Sequence, residues 1–219
     1  LDHKEQVRDY LGKITVSSQH LLSLINDVLD MSRSNSGNLV IADEVFSLSD
    51  LLHDLLIIVR PQAEKKGHSF LFSTENIQAE TLRGDVLRLR QIFVNIISNS
   101  VKYTDDGGRI EVKFSQEKTG QERAGQESTG GNAVCDLVFT CRDNGIGIPK
   151  NEQGLIWDRF YKTDLSRGKD KKGTGLGLSI VREIIRAHDE NINVISTEGV
   201  GSEFIFSLRR SDLYDELDD

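Results

Sequence analysis

Asn95, Asn99 and Lys102 lie at i, i+4 and i+7 in an otherwise apolar run, so a helix carries all three on one face. Amide oxygens are neutral hard ligands suited to a Mg²⁺ ion that keeps several waters and bridges to phosphates, and a lysine beside them adds a point charge. A polar stripe turned to solvent would read the same way. Asp143 heads Asp143-Asn144-Gly145-Ile146-Gly147-Ile148-Pro149, one residue after the apolar run Val138-Phe139-Thr140-Cys141. A carboxylate hanging from the end of a strand, beside backbone freed by two glycines, can accept a hydrogen bond from the exocyclic amine of adenine; a plain turn in which the Asp satisfies main-chain N–H groups is the alternative. Gly173-Thr174-Gly175-Leu176-Gly177-Leu178-Ser179 opens a further helix, where close main-chain approach and free N–H donors suit a phosphate. Two familiar phosphate motifs fail here. Counted from Gly168, Thr174 stands where the lysine of a P-loop must be, and Gly173-Thr174-Gly175 follows a basic loop where a dinucleotide fingerprint needs a strand.

These groups need elements to hold them. Asp85 caps a strongly apolar helix that runs through Tyr103, and Ser49 or Asp50 caps an earlier one that reaches Lys66, with Gly67 as its stop and Pro61 as a break or kink. Short strands read over Val45–Leu48, His68–Ser73, Arg109–Ser115, Val134–Cys141, Ile192–Ser196 and Ser202–Leu208, and a glycine-interrupted helix reads over Leu176–His188. Strands and helices intermix without a regular βαβ rhythm. The expected class is therefore α/β, a two-layer sandwich of a mixed sheet with helices over one face. Ahead of it, Val7, Leu11, Ile14, Ser18, Leu21, Ile25 and Val28 keep a 4-3-4-3 spacing, the seam of a long coiled-coil-type helix. The expected organisation is this helix over residues 1–36, a linker over 37–44, the sandwich over 45–210 and an acidic tail over 211–219.

The chain has 219 residues, with 27 Lys+Arg against 35 Asp+Glu, and the net charge of −8 excludes a generally basic nucleic-acid binder. Positive charge gathers only in Tyr161–Lys172, which carries Lys162, Arg167, Lys169, Lys171 and Lys172. A solvated run and an anion-binding lid are both open readings of it. Glu117–Asn132, with Gly-Gln-Glu at 120–122 and again at 125–127, reads as a polar surface loop. Cys135 and Cys141 share one strand face too far apart to bridge and read as reduced core thiols, which points to a cytoplasmic setting. No run of about 20 apolar residues is present, so no direct membrane contact is expected of this stretch.

Together, Asn95-x-x-x-Asn99-x-x-Lys102-Tyr103-Thr104, Asp143-x-Gly145-x-Gly147, Ile156-Trp157-Asp158-Arg159-Phe160-Tyr161 and Gly173-Thr174-Gly175-Leu176-Gly177-Leu178 resemble the N, G1, F and G2 boxes of sensor histidine kinases. These belong to the wider gyrase, Hsp90, histidine kinase and MutL group. Gly199-x-Gly201-Ser202-x-Phe204 resembles the group's closing glycine motif, and Ser23–Ser32 is similar to the second helix of the kinases' dimerisation and phosphotransfer hairpin.

The resemblance implies the histidine kinase-like ATPase fold and a cofactor pair of ATP and Mg²⁺. It implies that Asn99 coordinates the Mg²⁺ with Asn95 nearby, that Lys102 and Tyr103 contact phosphate and nucleotide, and that Asp143 takes the adenine amino group. Gly145, Gly147 and Ile148 would line the base pocket. Gly173, Thr174, Gly175, Leu176, Gly177 and Leu178 would border the phosphates, the last five through their N–H groups. Tyr161 and Lys162 would belong to a mobile lid, with Phe160 as its packing anchor. The intact protein would pass the γ-phosphoryl group to a histidine and on to the receiver domain of a response regulator. It would pair into a homodimer through the hairpin and sit on the cytoplasmic side of a membrane-anchored receptor.

One departure is plain. None of His3, His20, His53, His68 and His188 has the context of the family's acceptor histidine. The expectation is that the sequence begins after the acceptor helix and that this stretch binds Mg-ATP without phosphorylating itself. Two rivals are an ATP-gated conformational ATPase, disfavoured because no Glu flanks Asn95 and Asn99, and a nucleotide-sensing dimerisation scaffold.

Overall fold

Side-chain caps start two helices of 18 residues each. Ser47 Oγ accepts the amide of Asp50 at 3.2 Å and opens α1, Leu48–Lys65, while Asp85 Oδ1 accepts the amide of Arg88 at 3.0 Å and opens α2, Val86–Tyr103. The structure is a computed structural model that describes residues 6–8, 10–12, 14, 18, 25, 41–77, 81–118, 135–164, 166 and 173–209. The cap of α1 is Ser47 and not Ser49 or Asp50: the Ser49 hydroxyl pairs with that of Ser47 at 2.8 Å, and Asp50 lies inside the first turn, where negative charge suits the helix dipole. Pro61 does not break α1, which runs through it to Lys65. The proline supplies no N–H to the carbonyl of Ile57, one turn earlier, and Ile57 lies on the exposed side of the helix.

β1, Glu44–Ser47, pairs antiparallel with β3, Thr81–Gly84, in a two-stranded sheet. The sequence reading missed β3, because four residues without alternation carry too little pattern. Asp85 joins this small sheet to α2, since its Oδ2 accepts the amide of Ala42 at 3.2 Å while Oδ1 caps the helix. Asp85→Ala is therefore expected to cost about 1.5 kcal/mol, which urea denaturation reads as a lowered midpoint with an unchanged slope.

The main sheet has the order β2-β4-β5-β7-β6, with β2 at Ser69–Glu75, β4 at Arg109–Lys118, β5 at Cys135–Asp143, β6 at Ile192–Thr197 and β7 at Gly201–Arg209. β2 and β4 run parallel because β3 and α2 form the crossover between them; the other neighbours are antiparallel. Alternate residues Ile110, Val112 and Phe114 of β4, Leu137, Phe139 and Cys141 of β5, and Phe204, Phe206 and Leu208 of β7 are buried. The apolar face of α2 packs against them, flanked by α1 and by α3, Gly177–Ala187, which both pack on α2. Phe93 of α2 sits at the centre, its ring 5.1 Å from Phe114, 4.9 Å from Phe139 and 5.8 Å from Phe206. The α/β sandwich expected from the sequence is thus present. Its helix α2 is bolted down at mid-length, which leaves its C-terminal half to serve the site.

The chain divides into two compact units, Leu1–Leu39 and Val40–Asp219. In the first, every described position is helical, and Val7, Leu11, Ile14 and Ile25 are exposed. Ser18 is exposed as well, and Leu21 and Val28 of the heptad seam lie outside the described residues, as do 119–134, Arg167–Lys172 and the acidic tail. Among the described residues no helix is long and apolar enough to cross a membrane. Cys141 is a free buried thiol whose pKa burial pushes up to about 12; the side chain of Cys135 lies outside the described residues.

Candidate functional site

The C-terminal half of α2 is the spine of the site. Asn95 Nδ2 lies 3.5 Å from the carbonyl of Gly177 at the start of α3, so the N-box and G2 segments meet although 82 residues apart. A Cβ on Gly177 would sit 3.6 Å from the Asn95 amide group, an ordinary contact, so this glycine leaves room without being sterically forced. Asn99 follows one turn later, half-buried. Lys102 Nζ lies 5.2 Å from the centre of the Tyr103 ring, and the Tyr103 carbonyl accepts the amide of Ile146 from the G1 loop at 3.2 Å.

Asp143 ends β5 facing this helix. Its Oδ2 accepts the hydroxyl of Ser100 at 2.8 Å, while Oδ1 accepts the amides of Gly145 at 3.0 Å and Ser202 at 3.3 Å. The turn reading of this aspartate holds for one oxygen, which satisfies main-chain N–H groups, while the other accepts a hydroxyl. Burial raises the Asp143 pKa above its ordinary value, opposed by the hydrogen bonds from Ser100, Gly145 and Ser202, which favour the charged form. Ser100 was not singled out from the sequence. The signal was available, because Leu89, Ile92, Phe93, Ile96 and Ser100 share the buried stripe of α2, and a hydroxyl on such a stripe needs a partner.

The glycine loop after Asp143 is wedged against the β6–β7 turn. Gly147 has φ +66, and a Cβ there would lie 2.0 Å from the carbonyl oxygen of Thr197. Ile148 is held from both sides, its amide by Ser196 Oγ at 2.8 Å and its carbonyl by Gln153 Nε2 at 3.1 Å. The amide of Gly199 donates to the carbonyl of Ile146 at 2.8 Å, so the closing glycine motif supports the G1 loop directly.

The F-box and G2 segments are strapped together by their backbones: the amide of Phe160 donates to the carbonyl of Gly175 at 3.0 Å, and Gly175, at φ +73, leaves no room for a Cβ beside Phe160. The expectation that Phe160 is a packing anchor is corrected here. Its backbone adopts φ +63 at this strap, and the residue is 63% exposed; the buried member of the segment is Ile156. Tyr161 donates its hydroxyl to Glu152 Oε2 at 2.9 Å, and Lys162 is half-buried beside it in sequence. Gly173 and Thr174 approach α3, whose N-cap residue, Leu176, is buried and supplies no side-chain cap. The first-turn N–H groups of Gly177 and Leu178 are therefore left without a capping side chain, as an anion site requires. The Leu176 amide departs from the expected pattern, since it donates to Thr174 Oγ1 at 3.2 Å.

Among the described residues no cluster of three His, Cys, Asp or Glu could cage a metal ion. The amide donor set of Asn95 and Asn99 fits a Mg²⁺ that arrives with phosphate oxygens and water and takes one or two protein ligands.

A mixed sheet backed by helices thus brings amide, carboxylate and uncapped helix-start groups together along α2. Residues 84–212 match the family of histidine kinase-, DNA gyrase B- and HSP90-like ATPases, and the chain belongs to that family. It is 36% identical over 201 residues to the sensor protein GacS of Pseudomonas syringae pv. syringae, covering 92% of this chain and 21% of that protein. It is 33% identical over 201 residues to the circadian input-output histidine kinase CikA of Synechococcus elongatus, covering 91% of this chain and 24% of that protein. The crystal structure of full-length ShkA in complex with AMPPNP superposes with a TM-score of 0.69 at 27% identity, covering 93% of this chain and 39% of that one. The chain thus spans about a quarter or less of the length of these curated relatives.

Proposed function

We propose that this chain is the ATP-binding catalytic portion of a two-component sensor histidine kinase. It binds Mg-ATP and presents the γ-phosphoryl group to a histidine for relay to a response-regulator aspartate, within a homodimer formed through the helical hairpin. The observation that carries the reading is that one helix, α2, touches both Gly177 and Asp143, which brings the start of α3 and the carboxylate to one side of the sandwich.

In this reading Asp143 accepts the adenine amino group, and Gly145, Gly147 and Ile148 form the wall against which the base lies. Lys102 and Tyr103 face the sugar and phosphates, and the uncapped amides of Gly177 and Leu178 receive phosphate oxygens. Asn95 and Asn99 would hold Mg²⁺, which when bound neutralises triphosphate charge. Catalysis by such a site is positioning plus electrostatics, because an imidazole acceptor is itself the nucleophile. A hydrolytic ATPase would need a base to activate water, and α2 contains no Glu or Asp.

Titration calorimetry tests the reading. Mg·AMPPNP is expected to bind at one site per chain and Mg·GMPPNP at least about tenfold more weakly, since guanine presents a carbonyl to Asp143 where adenine presents an amine. Equal affinity for the two would sink it.

A further inference from the structure

The α2 end that carries Lys102 and Tyr103 is a helix C-terminus, where the last carbonyls have no intrahelical donors and the dipole is negative. Every carbonyl from Ser100 to Thr104 nevertheless has a partner. Ser100 O accepts the Thr104 amide at 3.1 Å, and Tyr103 O accepts the Ile146 amide at 3.2 Å. The other three converge on one side chain from the far end of α1: Lys66 Nζ donates to Val101 O at 2.9 Å, Lys102 O at 3.0 Å and Thr104 O at 3.0 Å. All three ammonium donors are used. Buried His68 adds Nε2 at 3.1 Å from Val101 O, and the Lys66 carbonyl accepts the Gly107 amide at 2.9 Å, so the turn after α2 is held by the same residue.

From this geometry we infer that Lys66 is a positioning residue for the nucleotide site. It fixes the last turn of α2, and with it the Tyr103 carbonyl that orients the Gly145–Ile148 loop, without touching the nucleotide itself. The inference rests on the proposed ATP site. Its chemistry is specific to an ammonium, because three carbonyls approaching one nitrogen suit a tetrahedral donor, whereas the planar guanidinium of arginine spreads its donors outward.

The test compares wild type, Lys66→Met, which keeps the aliphatic stem, and Lys66→Arg, with Asp143→Ala as the reference variant. Mg·AMPPNP affinity is measured by calorimetry under conditions where circular dichroism shows each variant folded, and amide hydrogen exchange is followed by NMR. If uncapping leaves the end of α2 ordered in a tenth of the molecules, Lys66→Met weakens AMPPNP binding about tenfold and Lys66→Arg about threefold. In Lys66→Met the amides of Thr104 and Ile146 are expected to lose protection while those of Phe93 and Val112 keep theirs. Unchanged affinity, or a uniform loss of protection across the core that marks a merely stabilising residue, overturns the assignment while Asp143→Ala still weakens binding strongly. Should Asp143→Ala leave binding intact, the site itself is misread, and the role of Lys66 falls with it.

Discussion

Asp143→Ala is expected to weaken Mg·AMPPNP binding by about 3 kcal/mol, roughly 150-fold, because under the proposed function a charge-assisted hydrogen bond to the adenine is lost with nothing to replace it. Two further effects accumulate at the same atom pair. Oδ1 orders Gly145 and Ser202, and Oδ2 is aimed by Ser100, so the variant also loosens the loop against which the base lies. Asp143→Asn keeps the shape but puts an amide donor opposite the adenine donor, and it is expected to bind as poorly as the alanine variant.

The two differ from wild type in pH dependence as well. Burial raises the Asp143 pKa, so wild-type affinity falls on acidification earlier than for an ordinary carboxylate, which ionises near about 4. The alanine and asparagine variants lose this acid limb. The sign for stability is the reverse: with the folded pKa above the unfolded one, the contribution of Asp143 to stability is present at low pH and is lost as pH rises through the folded value. Calorimetry from pH 5 to 8 with wild type and Asp143→Asn separates the two, and an acid limb that survives in Asp143→Asn would assign it to another group.

Gly147→Ala is expected to be among the most damaging single methyls in the sandwich, at about 3 to 4 kcal/mol by urea denaturation, with AMPPNP binding lost as well. A Cβ there meets the Thr197 carbonyl oxygen at 2.0 Å, its carbon at 2.7 Å and Glu198 Cα at 3.0 Å. All three are backbone, so no side chain can swing aside. The β6–β7 turn that would have to retreat is also tied to the loop through Ile146 and Ile148. Gly107→Ala is the control: its φ is +77, and nothing lies within 4 Å of the added atom, so only the left-handed backbone is penalised, by about 1 kcal/mol. A Gly147→Ala penalty no larger than that of Gly107→Ala would show that the loop is not wedged.

The sequence by itself determined which chemistry the chain carries and the local elements that bear it. Asn95, Asn99 and Lys102 share a helix face because the helical period is set by backbone geometry alone, and Asp85 announces its helix because an N-cap acts over three residues. Asp143 at a strand end and the glycines after it were legible for the same reason: their meaning is local. Tertiary structure alone decided what those groups are held by. Ser100 acquires its role only when β5 is laid beside α2, Gly147 becomes irreplaceable only when the β6–β7 turn closes on it, and Lys66 finds three carbonyls 35, 36 and 38 residues away. No short-range pattern encodes such contacts, because they follow from which helices and strands share a core and not from the spacing of neighbours along the chain. Phe160 shows the same limit from the other side: the resemblance made it a packing anchor, but where its amide bonds the Gly175 carbonyl the residue is largely exposed.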